Sequence, residues 1–153
     1  MVGSTSNILE KKIGSILSLF LARPNIFTVV SSDFCHWGVR FGYSPQGKYT
    51  NEGGGLKVKN EIFEYIKWLD HLGMDQITMQ QPGAFASYLS KYKNTICGRH
   101  PIGIWLNSIK TNYDIRGEKL GLKFVKYSQS SLVRSVRESS VSYASAVARI
   151  DTS

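Results

Sequence analysis

Cysteine is scarce: Cys35 and Cys97 are the only two in 153 residues. One bridge is conceivable, but two isolated cysteines form no disulfide framework, and they read as reduced thiols in a reducing compartment. Long hydrophobic runs are also missing. The longest apolar stretch, residues 13–22, is too short to span a bilayer and is interrupted by Gly14, Ser15 and Ser18. Lys11-Lys12 in front of it faintly imitates a secretion signal, yet Phe20 spoils the small-residue cleavage pattern. A cytoplasmic protein with no membrane span is expected. Runs of charge are absent too. The formal net charge of +8 raises nucleic acid or anionic lipid as partner, but the 19 Lys and Arg are scattered, and Lys11-Lys12 is the sole adjacent pair. No basic run is interleaved with aromatics as a stacking platform requires, so nucleic acid is not expected. Gly53-Gly54-Gly55 lacks the spacing of a phosphate cradle and reads as a surface loop.

What is present is ordinary globular material, 42% hydrophobic and 20% charged, enough for one domain with a core. Residues 8–22 predict an amphipathic helix, capped by Asn7 and stopped by Pro24, with Ile13, Ile16, Leu17, Phe20 and Leu21 on its apolar face. Residues 26–32 are β-branched and apolar and predict a buried strand, followed by a loop over 34–55. Asn60 opens a second helix with Ile62, Tyr65, Ile66, Leu69 and Leu72 inward, and Gly73 is expected to end it. Phe85, Tyr88, Leu89 and Tyr92 mark a short third helix after Pro82-Gly83. Pro101 starts a fourth, with Ile102, Trp105, Leu106 and Ile109 buried. His71 is expected to face solvent at a helix end. Residues 121–129 and 141–150 alternate as strands. The second has Ala144, Ala146 and Ala148 on one face, where another layer should pack closely. The order α-β-α-α-α-β-β implies an α/β layered domain, a mixed sheet flanked by helices. Three strands are few for so many apolar helical faces.

Two segments concentrate reactive side chains. In SSDFCHWG, residues 31–38, Asp33 and His36 follow the end of the expected strand, where open α/β sheets place ligands. An aspartate beside a histidine can fix its tautomer, so the pair suits general acid–base work. The same residues also suit a turn in which Asp33 caps backbone donors. In NTICGRHP, residues 94–101, Cys97 precedes a helix start and Arg99 adds positive charge, both favouring a thiolate: nucleophile, redox group or soft metal ligand. A buried structural cysteine is the commoner fate, but Gly98 lets backbone approach beside the sulfur. The Cys97-x-x-His100 spacing alone is no zinc site. Cys35 and His36 do not complete it, because adjacent residues on an extended chain point apart.

Together, VVSSDFCHWG (29–38), KYKNTICGRHPIG (91–103) and SSVSYA (139–144), with WLDHLGM and KYSQSS, closely resemble the Memo family, mediators of growth-factor-receptor-driven cell motility. The resemblance implies a fold like that of class III extradiol dioxygenases and an association with iron or copper. It makes Cys97 the counterpart of a metal-ligating cysteine. His36 resembles the acid–base histidine, and Asp33 the acidic residue beside it. It implies a redox role linked to motility signalling, with dioxygen or a phenolic compound as substrate if the protein is an enzyme. The family's two metal-binding histidines lie in an N-terminal portion with no counterpart here. The chain therefore reads as a single partial domain over 1–153, the C-terminal half of the fold, with 45–58 a variable loop. A truncated gene model, a split product or a decayed copy would look this way, and alone it should bind metal weakly or not at all. The rival reading is a non-catalytic module for a phosphotyrosine-type peptide of a receptor-signalling protein, with Arg99 and His100 meeting the anion.

Overall fold

The computed structural model describes residues 3–21, 23–45 and 61–150. Helix α1 is Asn7–Leu21, strand β1 His36–Trp37, and helices α2, α3 and α4 are Ile62–Thr78, Pro82–Tyr92 and Arg99–Arg116. Strands β2, Leu120–Gln129, and β3, Ser140–Ile150, complete a three-stranded sheet in the order β1-β3-β2. This is the expected α/β class, with an antiparallel sheet. The β2–β3 hairpin pairs from Leu120↔Ile150 to Gln129↔Ser142, with an irregularity between Phe124 and Lys126. Asn60 and the glycine-rich part of the expected variable loop lie outside the described residues.

Helix α2 forms on the expected period, burying Ile62, Ile66 and Leu69, but it does not end at Gly73. It runs on to Thr78. A Cβ on Gly73 would stand 2.9 Å from the Tyr88 ring, so this glycine is where α3 lays its tyrosine across α2. His71 is accordingly mid-helix, its ring edge-on to Tyr127 at 4.8 Å and its Nδ1–H donating to the Lys67 carbonyl at 2.7 Å. Trp37, Ile66, Leu69, Phe85, Ile96, Leu106 and Val133 fill the centre.

Two further expectations are overturned. Residues 26–32 belong to no strand, and Phe27 and Val29 are 89% and 76% exposed. A β-branched run becomes a strand only where an edge pairs with it. This segment joins β3 no earlier than Phe34, whose N–H donates to the Ser142 carbonyl at 2.8 Å. Helix α1 forms where expected, yet its apolar face is not the buried one. Glu10, Gly14 and Ser18 are buried, whereas Ile16, Leu17 and Phe20 are exposed. Close backbone approach decides this: a Cβ on Gly14 would lie 2.5 Å from Asn107 Cβ and 2.8 Å from the Ile104 carbonyl oxygen, so α1 docks on α4 through its small residues. Replacing Gly14 by Ala should therefore destabilise by about 1–3 kcal/mol, while Ile16→Gln should change stability by less than about 0.5 kcal/mol. Paired denaturant melts test the ordering, and equal effects would refute the docking.

The centre also holds a carboxylate. Asp70, on α2, is fully buried. Its Oδ1 accepts the Cys35 N–H at 3.2 Å and the Asn94 amide at 3.0 Å, and its Oδ2 accepts the Tyr127 hydroxyl at 2.9 Å. Asn94 donates its other amide hydrogen to the Tyr88 hydroxyl at 2.7 Å, which in turn donates to the Leu69 carbonyl. Burial raises the Asp70 pKa above the usual carboxylate value, while Ser142, Asn94, Tyr127 and the Cys35 N–H pull it down. An acid whose pKa is higher folded than unfolded contributes fully below its unfolded value and loses that contribution as pH rises through the folded one. Asp70→Ala should cost about 3–5 kcal/mol by orphaning three donors. Asp70→Asn should cost less and should flatten the fall of stability above about pH 4. Melting temperature followed from pH 3.5 to 7 checks both, and an unchanged slope in the Asn variant would refute the assignment.

Candidate functional site

From Cys35 to Trp37 the segment alternates faces. Cys35 is fully buried, His36 is turned toward the surface and Trp37 is buried again. The backbone of His36 is held by one side chain, Thr95, whose hydroxyl accepts the His36 N–H at 2.8 Å and donates to the His36 carbonyl at 2.9 Å. The His36 ring is fixed as well. Its Nδ1 lies 3.1 Å from both the Phe34 and the Thr95 carbonyl oxygens, so Nδ1 carries the hydrogen. That leaves Nε2, 3.8 Å from Asp33 Oδ2, as the nitrogen able to take or give a proton. Phe41 stands edge-on to the ring at 5.2 Å.

Cys97 meets this strand end from 64 residues away. Its exposed Sγ accepts the Asp33 N–H at 3.1 Å and lies 3.8 Å from the Asp33 carbonyl oxygen. Gly98 makes the approach possible. Its N–H donates to Ser32 Oγ at 3.0 Å, and a Cβ there would come within 2.4 Å of Ser32 Cβ and 2.7 Å of the Ser31 carbonyl oxygen. Cys97, Asp33 and His36 are thus brought to one strand end, and α4 begins directly after them at Arg99.

Arg99 and His100 face elsewhere. With Glu10, Lys93, Asn94 and Thr95 they line a cavity of about 500 Å³, to which neither Cys97 nor His36 contributes. His100 Nδ1 lies 2.7 Å from Glu10 Oε1, which also accepts the Thr5 hydroxyl at 3.0 Å. Sequence reasoning missed Glu10 and Thr95, the clamp on His36. Nothing local marks either, because each acts on a residue far along the chain. Among the described residues no three His, Cys, Asp or Glu side chains converge as a metal site.

This fold and site define an α/β domain in which an exposed thiol, a histidine of fixed tautomer and an aspartate share one strand end. The chain belongs to the Memo-like protein family, whose model matches residues 1–147. It is 47% identical over 144 residues to mouse Protein MEMO1, with 94% of this chain and 45% of that protein covered. Human Protein MEMO1 is 46% identical over the same length, and the Caenorhabditis elegans Protein memo-1 homolog is 39% identical over 147 residues, 40% of its length. The chain spans less than half the length of these relatives.

The two thiols differ sharply. Burial first, then the nearby Asp70 carboxylate, pushes the Cys35 thiol far up, whereas Cys97 is exposed. Limited alkylation near neutral pH, read by mass spectrometry, should label Cys97 alone until the protein unfolds. Early labelling of Cys35 would contradict this geometry.

Proposed function

We propose that this chain supplies part of a Memo-type iron or copper centre with a redox role tied to motility signalling in a reducing cytoplasm. The observation that carries the reading is Cys97 Sγ, exposed and seated against the Asp33 backbone at the strand end that bears His36. The fit of these residues to a metal is partial. Cys97 offers one soft donor, and a stable site needs about three or more protein donors in fixed geometry. Two histidines from the remainder of the fold would complete the set that the family resemblance implies. A bound iron or copper ion would supply one-electron and Lewis-acid chemistry.

The chain's own residues have separate parts in this scheme. Cys97 holds the metal. His36 keeps its Nδ1–H on two carbonyl oxygens and exchanges a proton at Nε2. Asp33 holds the sulfur through its backbone and faces Nε2 with its carboxylate. The peptide-binding reading draws less support, because Glu10 occupies His100 Nδ1 and leaves the exposed Arg99 to meet an anion. Calorimetric titration with copper or ferrous ion should give weak binding to the chain alone and tight binding when the remainder of a relative is supplied. Cys97→Ala should then lower affinity by on the order of tenfold or more, while His36→Ala spares affinity and shifts the pH profile of any turnover. Tight binding by the lone chain, indifferent to Cys97→Ala, would place the site elsewhere.

A further inference from the structure

Helix α1 buries its small residues, which leaves its large apolar ones outside. Glu10, Gly14 and Ser18 recur every four residues and form the stripe laid on α4. Lys12 and Ile16 each stand two residues from Gly14, about 200° round the helix, so they point away from α4. Ile8, Leu9, Leu19 and Phe20 flank them at spacings of three and four. Ile8, Ile16 and Leu19 are 72%, 61% and 59% exposed, and Leu9 and Phe20 are exposed as well. The result is an apolar ridge along most of α1. Single exposed apolar side chains are ordinary on a surface, but a contiguous row marks a contact.

The charge around the ridge has one sign. Glu10 is the sole acid in residues 1–32, and it is buried, with its Oε1 2.7 Å from His100 Nδ1. Lys11 and Lys12 are exposed, and Lys12 stands within the ridge. Exposed Arg23, just past the helix end, lays its guanidinium over the Phe20 ring at 5.2 Å. The ridge is convex, because α1 is seated on α4 by its opposite side. A rigid partner would need a matching furrow, whereas a fluid surface closes round such a ridge. Apolar side chains with long cations reaching past them are what an interfacial helix presents to lipid headgroups.

We propose that α1 docks this chain on an anionic lipid bilayer. Ile8, Leu9, Ile16, Leu19 and Phe20 enter the headgroup layer, and Lys11, Lys12 and Arg23 meet the lipid phosphates. The helix lies on the bilayer and does not cross it: among the described residues no helix is long and apolar enough to span a membrane. The net charge of +8, too scattered for a nucleic-acid platform, adds a long-range pull toward such a surface. A second copy packed ridge to ridge fits less well, because it would set two chains of that charge together. The proposal rests on neither the metal nor the motility reading.

The test mixes the full chain with phosphatidylcholine vesicles, with and without an equal share of phosphatidylserine, and reads the bound fraction by flotation. Binding to the anionic vesicles is expected, falling as salt is raised. Ile16→Gln with Leu19→Gln should lower the partition coefficient about tenfold or more. Lys11→Gln with Lys12→Gln should lower it about tenfold at low salt. All four positions are exposed, so the melt of each variant should hold. Val125→Gln, exposed on β2, is the control and should bind as the unaltered chain does. No binding to anionic vesicles, equal binding to neutral ones, or indifference to the Ile16 and Leu19 changes would each overturn the proposal. So would an equal loss from Val125→Gln, or a self-dimer broken by the same α1 changes in place of vesicle binding.

Discussion

The structure depends on one carboxylate placed where carboxylates are expensive. Asp70 sits at the junction of α2, the strand-end segment, the α3–α4 connection and β2, accepting a hydrogen bond from each of the last three. Apolar packing could hold these elements together but would not fix their register, because it has no direction. The Asp70 oxygens do have direction. Oδ1 sets the height of Cys35 and of Asn94, and Oδ2 sets Tyr127, whose hydroxyl also accepts the Gln129 amide. Conformational specificity is the physical return on burying such a group.

The candidate site inherits its geometry from that junction. Cys35, held by Asp70 through its N–H, lies between Asp33 and His36 in sequence. Asn94, held by the same oxygen, is followed by Thr95, Ile96 and Cys97. The two loops bearing the reactive groups are therefore registered against each other by a shared acceptor in the core. Thr95 clamps one loop to the other at His36, and Gly98 closes the seam at Ser32. Sulfur and imidazole need no direct bond to each other to keep their relative position.

What the sequence disclosed and what it hid follow a physical line. Helices α2, α3 and α4 were legible because the period of Ile66, Leu69, Phe85, Tyr88, Ile102 and Leu106 is a local signal. The use of Gly98 for close approach was legible from residue type; the strand expected to end before Asp33 and His36 is absent, and His36 instead opens β1. Residues 26–32 misled because a strand is a relation between two chains, and composition reports only one. Helix α1 misled because hydrophobicity ranks side chains by transfer from water, whereas its docking is decided by how near two backbones can come at Gly14. Asp70 was invisible for the same kind of reason: an aspartate on a helix reads as solvated until its donors, 24 to 57 residues away, are known.

The Glu10–His100 pair joins residues 90 apart in sequence, while the β2–β3 hairpin closes within a single short connection. Closing a long loop costs chain entropy before any contact repays it, so the hairpin and the α2–α3 pair can assemble early and α1 must arrive late. Among the late events is the seating of a helix whose glycine has little room for an added methyl and whose anchoring carboxylate must find one imidazole. A ribosome that has released α1 first must keep it waiting for nearly the whole of α4, with Ile8, Ile16 and Phe20 exposed in the interval and exposed still once it is home.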